Sequence, residues 1–254
     1  MAPTSSPRRF APLNPDKPNS RNAPLLKGIV FDVDGTLCEP QTYMFGEMRD
    51  ALGIDKSIDI LDHLYSLPPA EQEKGQEAIR NIERRAMVNQ TPSIGLVELM
   101  SYLETRGIQK GICTRNFQTP VNHLLEKFLN GKVFHPIVTR EFRPPKPDPA
   151  GILHIAAQWG LEDGGKSLIM VGDSIDDMTA GFRAGAATVL LVNPVNEHLA
   201  THQHTDLCIK RLDELIPILE NGFQGEISQE DENPNTKEQV KAFLDSLSSK
   251  AALS

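Results

Sequence analysis

An α/β fold built on a doubly wound parallel sheet is what this sequence predicts, and three observations predict it. Short apolar runs at 28–31, 108–113, 133–138, 167–171 and 187–192 alternate with helical patterns at about 93–106, 119–129, 148–159 and 174–184. Strands alternating with helices lie parallel, with helices packed on the sheet. Acidic, hydroxyl and basic residues collect just after the runs, at the carboxyl ends where such sheets bind ligands. The stretch from about 40 to 90 is helix-prone and has no strand candidate. A structureless loop that long is rare, so a small helical cap inserted after the first strand is expected there.

Taken in order, residues 1–24 are rich in Pro, Ser and Asn and are expected to be a disordered tail. Residues 25–39 and 91–223 should form the core domain, with 40–90 as the cap. The first strand is Gly28-Ile29-Val30-Phe31. Thr91-Pro92 offers a helix start, an N-cap residue followed by Pro at the first helical position. Gly107 and Gly185 read as helix stops. Residues 224–254 begin as an acidic, apolar-poor linker and end with Val240, Phe243, Leu244 and Leu247 at helical spacing, a candidate peripheral helix.

Composition narrows the function classes. A net charge of −8 argues against a generic nucleic-acid binder, which presents a basic face to phosphates. A small anionic substrate stays compatible, because a local pocket can oppose the global sign. No apolar stretch approaches the roughly 20 residues of a membrane helix. The three cysteines, Cys38, Cys113 and Cys208, are scattered and show no CxxC spacing, which points to a reducing compartment. Arg8 and Arg9 precede the first acid, Asp16, as in a mitochondrial transit peptide, but Pro at 3, 7, 12, 15, 18 and 24 opposes its amphipathic helix. A cytoplasmic protein is expected; oligomeric state is not legible.

The strand ends carry the chemistry. Asp32 and Asp34 close the first strand, spaced i, i+2 and so projecting from one side. Gly35 turns the chain behind them. Like charges so close repel unless a cation or a proton compensates. The second run leads into Thr114-Arg115-Asn116, the third into Arg143-Pro144-Pro145-Lys146-Pro147-Asp148, and the fourth into Gly172-Asp173-Ser174-Ile175-Asp176-Asp177. These groups suit phosphoryl transfer through an aspartyl intermediate. Asp32 would attack phosphorus, and Asp34 would protonate the leaving oxygen and later deprotonate water. Mg²⁺ prefers hard oxygen ligands, and Asp173 with Asp32 and the backbone carbonyl of Asp34 could hold it. Lys146 and Thr114 would bind the phosphoryl oxygens. Arg115 and Asn116, beside that site, are candidates for substrate contact.

The set Asp32-Val33-Asp34-Gly35-Thr36, Thr114, Lys146 and Gly172–Asp177 resembles the haloacid dehalogenase-like hydrolases, in that family's order and over about 26–192. The resemblance implies a Rossmann-like core, Asp32 as nucleophile, Asp34 as acid/base, and Thr114 and Lys146 as phosphate binders. It also implies an acidic Mg²⁺ motif at Asp173 and Asp177, with Asp173 the direct ligand. Asp34 and the paired acids look like the phosphatase branch, with a small phosphorylated metabolite as substrate. Two alternatives stay open: a sugar-phosphate mutase, and a signalling module phosphorylated on aspartate without turnover.

Several patterns have a plainer reading. Gly160–Ser167 spells a P-loop, but a helix pattern precedes it and a strand follows, the reverse of a working one. Tyr43 stands where a calcium loop beginning at Asp32 needs a bidentate Glu. Arg80, Arg84 and Arg85 read as a solvated helix face, with closure over an anionic leaving group as the sharper alternative. His202 and His204 read as a solvated loop.

Overall fold

The computed structural model describes residues 8–41 and 43–225. Its centre is a six-stranded, all-parallel sheet in the order β3-β2-β1-β4-β5-β6. The strands are β1 (Gly28–Phe31), β2 (Gln109–Cys113), β3 (Ile137–Val138), β4 (Leu168–Gly172), β5 (Ala187–Leu191) and β6 (Leu207–Ile209). Strand β1 lies in the middle, paired with β2 on one side and β4 on the other. The order reverses at β1, so the crevice above its carboxyl end is the topological switch point.

Strands β1 and β4 read as unbroken apolar runs because helices cover both faces of the sheet. Side chains alternate with period two: Ile29, Phe31, Ile169 and Val171 enter one core, and Val30, Leu168 and Met170 the other. The first core packs against α4 (Leu96–Thr105), α5 (Gln118–Leu129) and α8 (Leu215–Asn221), the second against α6 (Ala150–Gln158) and α7 (Ile175–Ala184). Two glycines are needed for this packing. A Cβ at Gly28 would lie 2.4 Å from the Trp159 ring, and one at Gly111 would lie 3.1 Å from it.

Helices α1 (Tyr43–Leu52), α2 (Ile60–Ser66) and α3 (Pro69–Val88) follow β1 and enclose a cluster of their own, with Met44, Met48, Leu61, Leu64, Ile79 and Ile82. Helix α2 begins at Asp59, whose side chain accepts the N–H groups of Leu61 and Asp62. Such capping satisfies donors that a helix N-terminus leaves unpaired.

The structure departs from the sequence expectations in five places. Helix α4 does not start at Thr91-Pro92: the chain there is zipped to the segment after β1, by Glu39 N–H to the Thr91 carbonyl and Ser93 N–H to the Leu37 carbonyl. Its cap is Gly95, at φ 82°. The third run yields only the two residues of β3. Strand β6 and helix α8 had no counterpart in the apolar pattern, being too short for periodicity to register. Residues 8–24 are not a free tail. Phe10 and Ala11 are buried, Phe10 N–H donates to the Phe223 carbonyl at 3.0 Å, and Leu13 N–H donates to Leu219 at 2.9 Å. Gln224 and Gly225, expected in the linker, pair with Arg9 and Arg8. Residues 1–7 and the candidate helix around 240–247 lie outside the described residues.

Cys38 and Cys113 are buried thiols outside any disulfide. Among the described residues no helix is long and apolar enough to cross a membrane.

Candidate active site

Five strand ends and the helices above them enclose a cavity of about 490 Å³, lined on the sheet side by residues that include Asp32, Asp34, Thr114, Lys146 and Asp173. Lys146 Nζ donates to Asp32 Oδ1 at 2.7 Å and also to Asp177 Oδ1. The other Asp177 oxygen accepts from the backbone N–H (3.1 Å) and the hydroxyl (2.6 Å) of Ser174, closing a capping box at the start of α7. Asp177 is thus fixed twice over, beneath the cavity rather than on its wall. Asp34 Oδ2 accepts from Asn116 Nδ2 at 2.8 Å. Asp173 Oδ2 accepts from Asn193 Nδ2 at 3.2 Å, while Asn196 Nδ2 donates to the Asp173 carbonyl at 2.7 Å. Gly35 makes room for this acid: at φ 85°, a Cβ there would sit 2.1 Å from Asp173 Oδ2.

Crowding of acids in a buried place sets the electrostatics. Burial pushes Asp32 up to about 7; Lys146 opposes this, and Asp177 and Asp34 add to it. Burial, then the charges of Asp177 and Asp32, push Asp173 up to about 8. Asp34 is also raised by burial, against the Asn116 hydrogen bond and the charge of Arg140. Burial alone would lower Lys146, but Asp177 and Asp32 outweigh it and keep the ammonium charged. One ammonium among these acids leaves negative charge uncompensated. Asp32, Asp173 and Asp177 each offer an oxygen within 4.8 Å of the others. An all-oxygen set of crowded carboxylates fits a hard divalent cation. Both Asp177 oxygens already accept from protein donors, which leaves Asp32 and Asp173 as the open pair.

The remaining candidates, Arg115 and Asn116, line the cavity but are already paired. Arg115 bridges Asp59 of the inserted helices (2.6 Å) and Asp176 of α7 (2.5 Å). The Asn116 carboxamide is occupied by Asp34 and by the Phe117 N–H, so Asn116 orients Asp34. Arg80, Arg84 and Arg85 pair with Glu73, Glu77 and Glu47 on the helix surface. Gly160 follows α6 and Ser167 precedes β4, so the P-loop spelling falls in a helix-to-strand turn. His204 is not solvated: it is buried, bonded to Thr179 at 3.0 Å and stacked on Phe182.

Sequence reasoning missed Asn193, Asn196, Glu83 and Arg140, all of which line the cavity. The two asparagines follow β5 and were discoverable by the strand-end rule used for the other strands. Glu83 sits mid-helix in α3 among ordinary charged residues, and nothing local distinguishes it.

Residues 26–185 match the model of the haloacid dehalogenase-like hydrolases. This chain belongs to that family. An uncharacterized hydrolase of Saccharomyces cerevisiae is 45% identical over 202 residues, covering 77% of this chain and 92% of the yeast protein. A haloacid dehalogenase-like hydrolase domain-containing protein of Arabidopsis thaliana is 37% identical over 177 residues, covering 65% of this chain and 71% of the plant protein. Among solved structures, CbbY of Rhodobacter sphaeroides in complex with phosphate superposes with a TM-score of 0.59 at 19% identity, covering 75% of this chain and 96% of that one. The protein is therefore a hydrolase of the haloacid dehalogenase-like family, an enzyme rather than a passive aspartate switch. A mutase is not favoured by a family and relatives described as hydrolases.

Proposed function

We propose that this haloacid dehalogenase-like hydrolase is a Mg²⁺-dependent phosphatase that cleaves a small-molecule phosphomonoester through a phosphorylated Asp32. The observation that carries the reading is Lys146 bonded to both Asp32 and Asp177 at the base of the cavity, with Asp34 turned alongside by Asn116. Asp32, held by Lys146, attacks phosphorus. As the ester P–O bond breaks, Asp34 gives its proton to the leaving oxygen; burial keeps that carboxyl protonated further up the pH scale than usual. Asp34 then takes a proton from water, which attacks phosphorus, breaks the Asp32 acyl phosphate and releases inorganic phosphate. Thr114 and the Lys146 ammonium face the phosphoryl oxygens, where negative charge accumulates. Mg²⁺ held by Asp32 and Asp173 would neutralise charge between these acids and the phosphate dianion. Helices α1–α3 act as a cap that excludes bulk water.

The test is phosphate release from p-nitrophenyl phosphate with and without Mg²⁺. Turnover should need the metal and should fall by at least about a thousandfold in Asp32→Asn, whose amide is not a nucleophile. Equal rates with excess chelator, or a folded Asp32→Asn enzyme of normal activity, would overturn the proposal.

A further inference from the structure

The cavity reaches a second polar pair that no step above uses: Glu83 on α3 and Arg140, just after β3. Both side chains are more than nine-tenths buried, and Arg140 Nη2 donates to Glu83 Oε1 at 2.5 Å. Arg140 is firmly held. Its Nε donates to the Arg115 carbonyl at 2.8 Å, its backbone N–H donates to the Asn116 carbonyl at 2.9 Å, and the guanidinium lies 4.0 Å from the Phe117 ring centroid. Two atoms of the pair, Arg140 Nη1 and Glu83 Oε2, have no hydrogen-bond partner in the protein. A buried donor or acceptor left in that state costs about 1–3 kcal/mol until something meets it. The pair abuts Asn116, whose carboxamide orients Asp34. A group meeting it is therefore attached close to the oxygen that Asp34 protonates.

We propose that Glu83 and Arg140 form a hydroxyl-recognising subsite, so that the leaving group is an uncharged polyol rather than a hydroxy acid or a second phosphate ester. The proposal rests on the phosphomonoesterase reading above. A hydroxyl both donates and accepts, which matches one free acceptor beside one free donor. An ionised carboxylate only accepts, and would face Glu83 Oε2 as a buried like charge. Two of the other cations lining the cavity are already held by carboxylates. Lys146 is bound to Asp32 and Asp177, and Arg115 to Asp59 and Asp176. Arg49, half-exposed on α1, donates from Nη1 to the Phe45 carbonyl and its Nε has no partner, so phosphoglycolate in the test below also probes this cation. Met44, Phe45, Ile60 and Leu61 supply apolar wall for the carbon skeleton.

The experiment compares kcat/KM for glycerol 1-phosphate and phosphoglycolate with Mg²⁺ at about pH 8, above the value near 7 to which burial lifts Glu83 against the pull of Arg140. The wild-type enzyme should prefer glycerol 1-phosphate by about tenfold or more. In Glu83→Gln, Arg140 loses its counter-charge, and the ratio should shift toward phosphoglycolate by about tenfold. A purely packing role for Glu83 would lower both substrates together, and an unchanged ratio overturns the proposal. So does a wild-type preference for phosphoglycolate, which needs no variant to fold. Hydrolysis of p-nitrophenyl phosphate in the same assay separates these results from failure of the phosphatase reading, which would take the subsite with it.

Discussion

Asp32 and Asp173 carry carboxyl groups lifted to about 7 and about 8, well above what each has in an unfolded chain. Without a cation, the folded protein therefore holds more protons than the unfolded chain between about pH 4 and 8, and this contribution to stability falls as pH rises across that window. A divalent ion binds the charged carboxylates and opposes the loss. The Mg²⁺-induced rise in Tm is thus expected to be larger near about pH 8 than near about pH 5.5. Scanning calorimetry at the two values checks this, and an equal or absent response at both would remove these two acids as the cation site.

At the scale of elements, α2 is tied to the sheet through one residue. Asp59 Oδ1 accepts the N–H groups of Leu61 and Asp62 at 2.8 and 3.0 Å, and Oδ2 accepts from Arg115 at 2.6 Å. Cap and tether can be separated. Asp59→Asn keeps a capping oxygen and loses the ion pair, and it should leave the denaturation midpoint nearly unchanged, since a half-exposed pair is worth about 0–1 kcal/mol. Asp59→Ala also loses the cap and should cost about 1 kcal/mol more. Urea titration of both variants measures the difference. Identical midpoints would mean that the cap contributes nothing. Helix α7 shows the same economy: its capping box places Asp177 against Lys146.

For the whole molecule, the segment before β1 belongs to the folded unit. The rings of Phe10 and Phe223 lie 5.9 Å apart, and Arg8 reaches the buried carboxylate of Asp206 at 3.5 Å. Two distant parts of the chain thereby close over α8. Phe10→Ala should destabilise the protein by about 3 kcal/mol, read as a lower urea midpoint. A loss below about 0.5 kcal/mol, the range of ordinary surface substitutions, would place the segment outside the cooperative unit.

The amino-acid order alone determined the strand–helix alternation, the strand at Gly28–Phe31, and the gathering of Asp32, Asp34, Thr114, Lys146 and Asp173 around one crevice. The physical reason is that parallel strands buried on both faces must be apolar throughout, and their polar successors then fall at one edge. Tertiary structure decided what lacks such a local signature. Glu83 and Arg140 meet from positions 57 residues apart. Phe10 is buried by a partner at the far end of the chain. The Asn116 amide is claimed by Asp34 instead of standing open. Burial and pairing are properties of neighbours in space, and neighbours in sequence do not encode them.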